Sequence, residues 1–258
     1  MNDAVLAALL GLLVAGLGGL LVPRLIASVP EPAPKKSEAA PDETVESEAD
    51  PPATPEAEEP PKTAYVDIAA RPGLGVRSAA ISAVCGAVLG AATGLDWPLL
   101  WLLPLTPVAV ALSVIDWHTR LLPRRIVVPV TLAAILLVVV VGLMTDQRDH
   151  LVSALVVMVV ARSFFWVLWA VLGGAGMGFG DVRLAAPVGL VLGWVGPGPA
   201  LLGFWIGMVI FGLPGLLLAI VKRDRSLMKK PFPFGPFMIV GALVGLVWGT
   251  ALAGRIWG

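Results

Sequence analysis

Long apolar stretches, separated by short polar segments, alternate along almost the whole chain. Each stretch approaches the ~20 residues that cross ~30 Å of hydrocarbon as a helix. Because unpaired backbone N–H and C=O groups are too costly in lipid, such stretches are predicted to be α-helices. The sequence therefore predicts an all-α, polytopic membrane helix bundle. About eight transmembrane helices are expected, at 4–22, 79–95, 99–115, 126–144, 151–172, 182–196, 199–221 and 236–254.

The composition supports a membrane protein. Hydrophobic residues make up 57% of the 258 residues and charged residues only 14%, whereas soluble domains average roughly 25% charged residues. The lipid bilayer is therefore an expected partner. No lysine-rich or arginine-rich face with interleaved aromatic residues is visible, so nucleic acid is not.

The distribution of basic residues predicts the orientation. With the N-terminus outside, most of the 18 Lys and Arg residues fall in segments on the cytoplasmic side, as the positive-inside rule favours. Only Arg148 and Arg255 then lie outside, and Arg162 falls within a span. Both termini are predicted to be outside.

The chain divides into three predicted regions. Residues 1–23 are expected to be a transmembrane anchor, because no basic residue precedes the apolar run as it would in a signal peptide. Residues 24–78, whose centre is rich in Pro, Glu and Ala, are predicted to form a disordered, acidic cytoplasmic linker, since they have few apolar side chains to bury. Residues 79–258 are predicted to be a multi-helix membrane domain. A single cysteine, Cys85, rules out an internal disulfide.

Two aspartates stand apart from the other carboxylates. Most of the 18 acidic residues lie in the linker or in predicted loops, whereas Asp116 and Asp181 fall at predicted cytoplasmic helix boundaries. Ionisable groups that border hydrocarbon are costly to desolvate and are candidates for function. The alternative is that each aspartate simply marks a helix end in the wet interface.

A glycine-rich run at 173–180 leads into Asp181. Glycine breaks the preceding helix and permits close backbone approach, so the aspartate is expected on an irregular segment. Such backbone is tolerated at membrane depth only where protein or a water-filled cavity surrounds it. Packing or a hinge are the alternative explanations for these glycines.

A pair of carboxyl groups also fits a known chemistry. Two neighbouring carboxyl groups share one proton; the ionised member can activate water while the protonated member polarises a scissile carbonyl. His118 and His150 lie on opposite sides of the predicted topology. No metal and no cofactor are therefore predicted.

Three sequence patches occur in a fixed order. They are Ile115-Asp116 with Leu121-Leu122-Pro123, then Gly178-Phe179-Gly180-Asp181, then Pro233-Phe234-Gly235-Pro236-Phe237. Together they resemble the bacterial prepilin peptidases (type IV leader peptidases) of the GxGD membrane aspartyl proteases. The resemblance implies that Asp116 and Asp181 are the catalytic pair and that Gly178 and Gly180 shape the catalytic loop. Arg183, Pro233, Gly235 and Pro236 are candidate residues of a substrate pocket; the alternative for 233–236 is that its two prolines simply form a rigid start of the last helix.

The same resemblance implies the reaction and its location. A family member removes a short basic leader, after a glycine, from type IV prepilins or secretion pseudopilins whose hydrophobic helix follows the leader. The expected location is a bacterial cytoplasmic membrane, with the active site facing the cytoplasm.

The chain departs from the family pattern at several positions. Arg124 stands where many members have an aspartate, and Arg183 replaces the usual lysine. The larger members carry a CxxC…CxxC zinc module and methylate the new N-terminus, but this chain has one cysteine. Methyltransferase activity is therefore not predicted.

Two other functions are compatible with the two aspartates. A proton-coupled transporter could use the two aspartates as a relay with Arg162 as counter-ion, but no repeat halves are visible. A non-catalytic component of a pilus or secretion assembly is a further alternative. Arg162 is expected to face the bundle and pair with a carbonyl or carboxylate. His118 is interpreted as an interfacial histidine, with substrate orientation as the alternative, and the basic residues of 222–230 as headgroup anchors.

Overall fold

The computed structural model describes residues 2–31, 64–171, 177–222 and 233–257, without the side chains of 214–222 and 257. The centre of the predicted linker, the glycines at 173, 174 and 176 and the basic residues at 223–230 lie outside the described residues.

All regular elements in the described ranges are α-helices, which confirms the predicted all-α bundle. The helices are α1 (Asp3–Leu20), α2 (Val22–Ala27), α3 (Tyr65–Ala69), α4 (Leu74–Thr93), α5 (Leu99–Thr119), α6 (Arg124–Met144), α7 (Arg148–Val171), α8 (Phe179–Val195), α9 (Pro197–Lys222) and α10 (Gly235–Trp257).

Six of these helices are long and apolar enough to cross a membrane: α1, α4, α5, α6, α7 and α10. The 17 residues of α8 rise by roughly 25 Å, slightly less than the hydrocarbon thickness, and α9 is apolar over Pro197–Leu213. The chain is therefore a multi-pass membrane protein. The count of eight spans and the orientation of the N-terminus stay predictions.

Small residues bring neighbouring helices together. A Cβ on Gly11 of α1 would overlap the carbonyl group of Gly86 on α4. In the α7–α8 pair, a Cβ on Gly193 would lie 2.9 Å from the Ala154 Cα, and α9 meets α10 at similarly placed glycines. Such contacts let backbones approach closely where no hydrophobic driving force exists between helices.

The central helix of the bundle is α8. It packs against α6, α7, α9 and α10, and every residue from Leu184 to Trp194 is buried. By contrast, α1 exposes large apolar side chains such as Leu13 and Leu17, as expected of a surface that faces lipid. The short α8 is thus enclosed by protein along its length.

Both ends of the predicted linker at 24–78 are ordered, which differs from the expectation. They form α2, α3 and the first turn of α4, and Ile26, Tyr65 and Ile68 are buried in the same cluster as Ile115 of α5. These few large apolar side chains bury enough surface to offset the cost of ordering short helices. The division into three domains stays a prediction.

A carboxylate joins the two linker ends. Glu31, just after α2, accepts hydrogen bonds from the backbone N–H groups of Tyr65, at 2.6 Å, and Val66, at 3.3 Å. A carboxylate at a helix N-terminus satisfies free donors and complements the helix dipole. The linker therefore leaves and rejoins the structure at one place, beside the end of α5.

Candidate active site

Asp116 lies in the last turn of α5, because this helix continues past the predicted end at residue 115 to Thr119. Arg120 ends the helix with a left-handed backbone (φ 53°), and its N–H donates to the Asp116 carbonyl at 2.8 Å. The Asp116 side chain is only 4% exposed. It therefore lies inside protein and not in the wet interface.

The first residue of α10 supplies the hydrogen-bond partner of Asp116. The backbone N–H of Gly235 donates to Asp116 Oδ2 at 3.0 Å. A Cβ on Gly235 would lie 2.7 Å from that oxygen, so a residue without a side chain permits this approach. The N-terminus of a helix also favours a negative charge.

Aromatic packing fixes the chain just before Gly235. The buried Phe234 ring lies 5.7 Å from the ring of Phe165 and 5.1 Å from that of Phe211. Pro233 is buried and Pro236 half-buried. Pro236 stands in the first turn of α10, where its missing N–H leaves no intrahelical hydrogen bond unmade. The predicted pocket residues therefore form a rigid entry to α10.

Asp181 lies in the first turn of α8, and its N–H donates to the Gly178 carbonyl at 3.1 Å. The sequence predicts that Asp181 lies on an irregular segment, but Gly180 and Asp181 are already helical. Only Met177 and Gly178 precede the helix in the described range. The Asp181 side chain is 6% exposed. Its Oδ1 is buried without a hydrogen-bond partner among the described residues.

Leu122 links the two aspartate-bearing regions. A Cβ on Gly180 would lie 2.8 Å from Leu122 Cβ, and a Cβ on Gly235 would lie 3.5 Å from Leu122 Cδ1. Both α6 and α10 pack against α5 and α8. Asp116, which borders Gly235, and Asp181, which follows Gly180, therefore lie around the same Leu122 side chain. The structure thus brings together both aspartates, Gly180 and Gly235.

Arg183 is not part of this group. It stands two positions after Asp181, about 200° around the helix, and its guanidinium stacks 4.7 Å from the centroid of the Phe179 ring. It lines a groove with Arg124 and Arg162 on another side of α8.

His118 also faces away from the aspartates. Its Nδ1 is hydrogen-bonded to the Val114 carbonyl at 2.8 Å, and its Nε2 contacts the guanidinium of Arg71. The described residues contain no group of three or more His, Cys, Asp or Glu side chains that could hold a metal ion.

Sequence reasoning missed Tyr65, the one tyrosine of the chain. It is 3% exposed and lies beside Thr119, one turn from Asp116. Burial and then the negative charge of Glu31 raise the pKa of Tyr65, and the Thr119 side chain opposes this shift. The sequence feature that could have indicated an ordered Tyr65 is its position as a single aromatic residue after a Pro-rich and Glu-rich stretch.

An apolar cavity of about 130 Å³ lies deeper in the bundle. It is lined by α4, α5, α6, α8 and α10, and its lining residues include Leu112, Leu184 and Ile239. These three residues stand one helical turn deeper than Asp116, Asp181 and Gly235 respectively. The buried carboxyl groups therefore lie between this cavity and the helix ends.

The chain is similar to known proteins over the region that carries both aspartates. Residues 103–249 match the model of the type IV leader peptidase family. Three proteins called prepilin leader peptidase/N-methyltransferase are among the relatives. That of Aeromonas salmonicida is 34% identical over 157 residues, 60% of this chain and 52% of that protein. That of Stutzerimonas stutzeri is 31% identical over 176 residues (67% and 58%), and that of Pseudomonas putida 34% over 152 residues (58% and 50%).

The chain spans about half the length of the curated relatives it matches. No solved structure matches it.

Proposed function

Because the chain belongs to the type IV leader peptidase family, we propose that it is a membrane aspartyl endopeptidase acting on prepilin-like proteins. The observation that supports this best is the pair of buried carboxyl groups, Asp116 and Asp181, in regions that meet around Leu122. Neither carboxylate has an ion-pair partner among the described residues. Buried acids without an ion-pair partner reduce the stability of the fold, so carboxyl groups in such positions are candidates for a function.

The proposed reaction is hydrolysis without a covalent intermediate. The two carboxyl groups share one proton. The ionised group takes a proton from water, and the water oxygen attacks the scissile carbonyl carbon. The protonated group donates to the carbonyl oxygen during this step. The tetrahedral intermediate then breaks its C–N bond, and the leaving amine takes up a proton from the pair. One hydroxyl group of the intermediate returns its proton to the pair as the new carboxyl group forms.

Gly235 has a positioning role in this mechanism. Its N–H fixes Asp116 Oδ2, which orients the carboxyl group without occupying its other oxygen. The Asp181 Oδ1, unpaired among the described residues, is free to bind water or the substrate carbonyl. The pair titrates as a unit, so the acid and the base are not assigned to one residue each.

The proposed substrate has a short basic leader followed by a hydrophobic helix. The apolar cavity one turn deeper than the carboxyl groups supports a substrate whose hydrophobic segment stays among the helices while the leader remains near the surface. We place the active site at the cytoplasmic face of a bacterial membrane, since most basic residues flank this side. The proposal is limited to the peptidase step.

Co-expression with a prepilin-like protein tests the proposal. Leader removal, followed by mass spectrometry of the substrate, is expected for the wild type and for Asp96→Asn, a control in an exposed loop. Asp116→Asn and Asp181→Asn are each expected to abolish it. Processing by both variants would rule out the dyad. No processing by the wild type, together with proton uptake into proteoliposomes, would favour the transporter alternative.

A further inference from the structure

Three arginines on three helices line one groove. Arg124 is the first residue of α6, Arg162 lies within α7, and Arg183 lies in the second turn of α8. The groove has a volume of about 410 Å³. Arg183 stacks on Phe179, which leaves the N–H donors at the edge of its guanidinium available.

These positive charges are not neutralised within the described part of the chain. Arg183 lines the same groove as Arg124 and Arg162, and their like charges repel one another. The salt bridge found among the described residues joins Arg148 to Asp146, and neither of these residues lines the groove. Arg162 was expected to face the bundle and pair with a carbonyl or carboxylate, but its side chain is exposed in the groove. Cations that border hydrocarbon are costly, so a bound anion would stabilise this arrangement.

The groove runs from the membrane surface towards the hydrocarbon. Arg124 begins α6, and Thr131, which also lines the groove, stands about 10 Å further along the helix axis. Arg162 stands about 14 Å from the end of α7 at Val171. The ligand must therefore reach below the surface, as a lipid headgroup region does.

A second cavity, of about 430 Å³, continues the groove into the membrane. The two cavities share Arg162, Thr131 and Ala186. The second is lined mainly by the apolar side chains of Ile135, Met158, Val159 and Trp166. Arg124 and Arg183 thus stand near the surface, Arg162 stands deeper, and the apolar side chains of Ile135, Met158 and Val159 lie deeper still, so the groove is amphipathic.

We propose that this groove binds an anionic phospholipid, with the phosphate on Arg124, Arg162 and Arg183 and an acyl chain against the apolar side chains of the second cavity. Arginine binds phosphate through paired, charge-assisted hydrogen bonds. A soluble anion would contact only the arginines and not the apolar side chains, and a zwitterionic lipid would bring a positive headgroup towards three positive side chains. The site is separate from the proposed peptidase centre, since Arg183 points away from Asp181.

Lipid titration of the purified full chain in detergent tests this site. Phosphatidylglycerol is expected to raise the Tm and to remain bound in native mass spectrometry, and phosphatidylcholine is expected to do neither. Arg162→Gln should weaken phosphatidylglycerol binding by about tenfold, because a hydrogen-bonded charge is lost. Arg77→Gln, at an exposed position on α4, is the matched control and should bind like the wild type.

A second arginine variant and a soluble anion complete the lipid-binding test. Arg124→Gln changes an exposed helix end and should also weaken binding, so the test does not depend on the folding of the Arg162 variant. Inorganic phosphate alone should not change the Tm. Equal binding of the two lipids, unchanged binding by Arg162→Gln and Arg124→Gln, or an equal shift with inorganic phosphate would each overturn the proposal.

Discussion

The backbone N–H of Gly235 donates a hydrogen bond to the Oδ2 of Asp116 at 3.0 Å, across 119 positions of sequence. This contact joins the end of α5 to the start of α10. Since α10 also packs against α8, the same helix relates Asp116 to the element that carries Asp181. The geometry of the carboxyl pair therefore depends on a residue that carries no side chain.

Gly235→Ala tests this dependence. The new Cβ would lie 2.7 Å from Asp116 Oδ2, too close for an unchanged backbone, so α10 or the carboxyl group must move. Displacements of this size in an active site reduce rates by about a hundredfold. The rate of leader removal, measured at equal amounts of membrane-inserted protein, should fall accordingly.

Gly254→Ala is the matched control, because it lies in the same helix and its Cβ would meet no atom within 4 Å. It should cleave at the wild-type rate. Equal rates for the two alanine variants would show that the Gly235 contact does not position Asp116.

The helices and the two candidate aspartates could be picked out from the sequence because both depend on local signals, whereas the meeting of the two aspartates was expected only from the topology and the family resemblance. Apolar length predicts a membrane helix, and most other acids lie in the linker or in loops. The predicted helix ends were less accurate, since α5 extends to Thr119 and α8 begins at Phe179. Ends near the interface follow capping and packing, which hydropathy does not report.

Long-range contacts could not be predicted. The docking of Tyr65 beside α5 needs a surface built from distant helices, and the grouping of Arg124 with Arg162 and Arg183 needs the packing of α6, α7 and α8. Neither follows from periodicity. The family resemblance predicts Arg183 in the substrate pocket, but Arg183 and Asp181 lie on different sides of α8.

The two glycines before Asp181 should respond differently to alanine. A Cβ on Gly180 would lie 2.8 Å from Leu122 Cβ, whereas a Cβ on Gly178 would have its nearest contact at 3.7 Å, with Asp181 Oδ2. The backbone of Gly178 has φ −71°, which alanine adopts freely. Gly180→Ala is therefore expected to lose at least ten times more leader-cleavage activity than Gly178→Ala. Greater loss in the Gly178 variant would contradict the packing argument.

Asp181→Asn should increase stability while it removes activity. The aspartate is buried, and its Oδ1 has no partner among the described residues. Asparagine keeps the shape and removes the charge, so the free energy of unfolding should rise by about 1 kcal/mol. Thermal unfolding in detergent measures this, with Asp96→Asn as the control expected to be unchanged. A lower Tm for the Asp181 variant would contradict the prediction.

The docking of α3 should be sensitive to alkaline pH through Tyr65. Burial and the negative charge of Glu31 raise the pKa of Tyr65 above 10.0, so the folded state favours the neutral phenol. The stabilisation is complete below the unfolded pKa and is lost as the pH rises through the folded pKa. Because Tyr65 is the one tyrosine, phenolate absorbance reports it alone. Its midpoint should lie above 10.0, and lower in Glu31→Gln, which keeps an acceptor oxygen for the Tyr65 N–H but carries no charge. A midpoint at the ordinary value, or one that the Glu31 variant does not change, would mean that the linker ends are not held against α5 in this way.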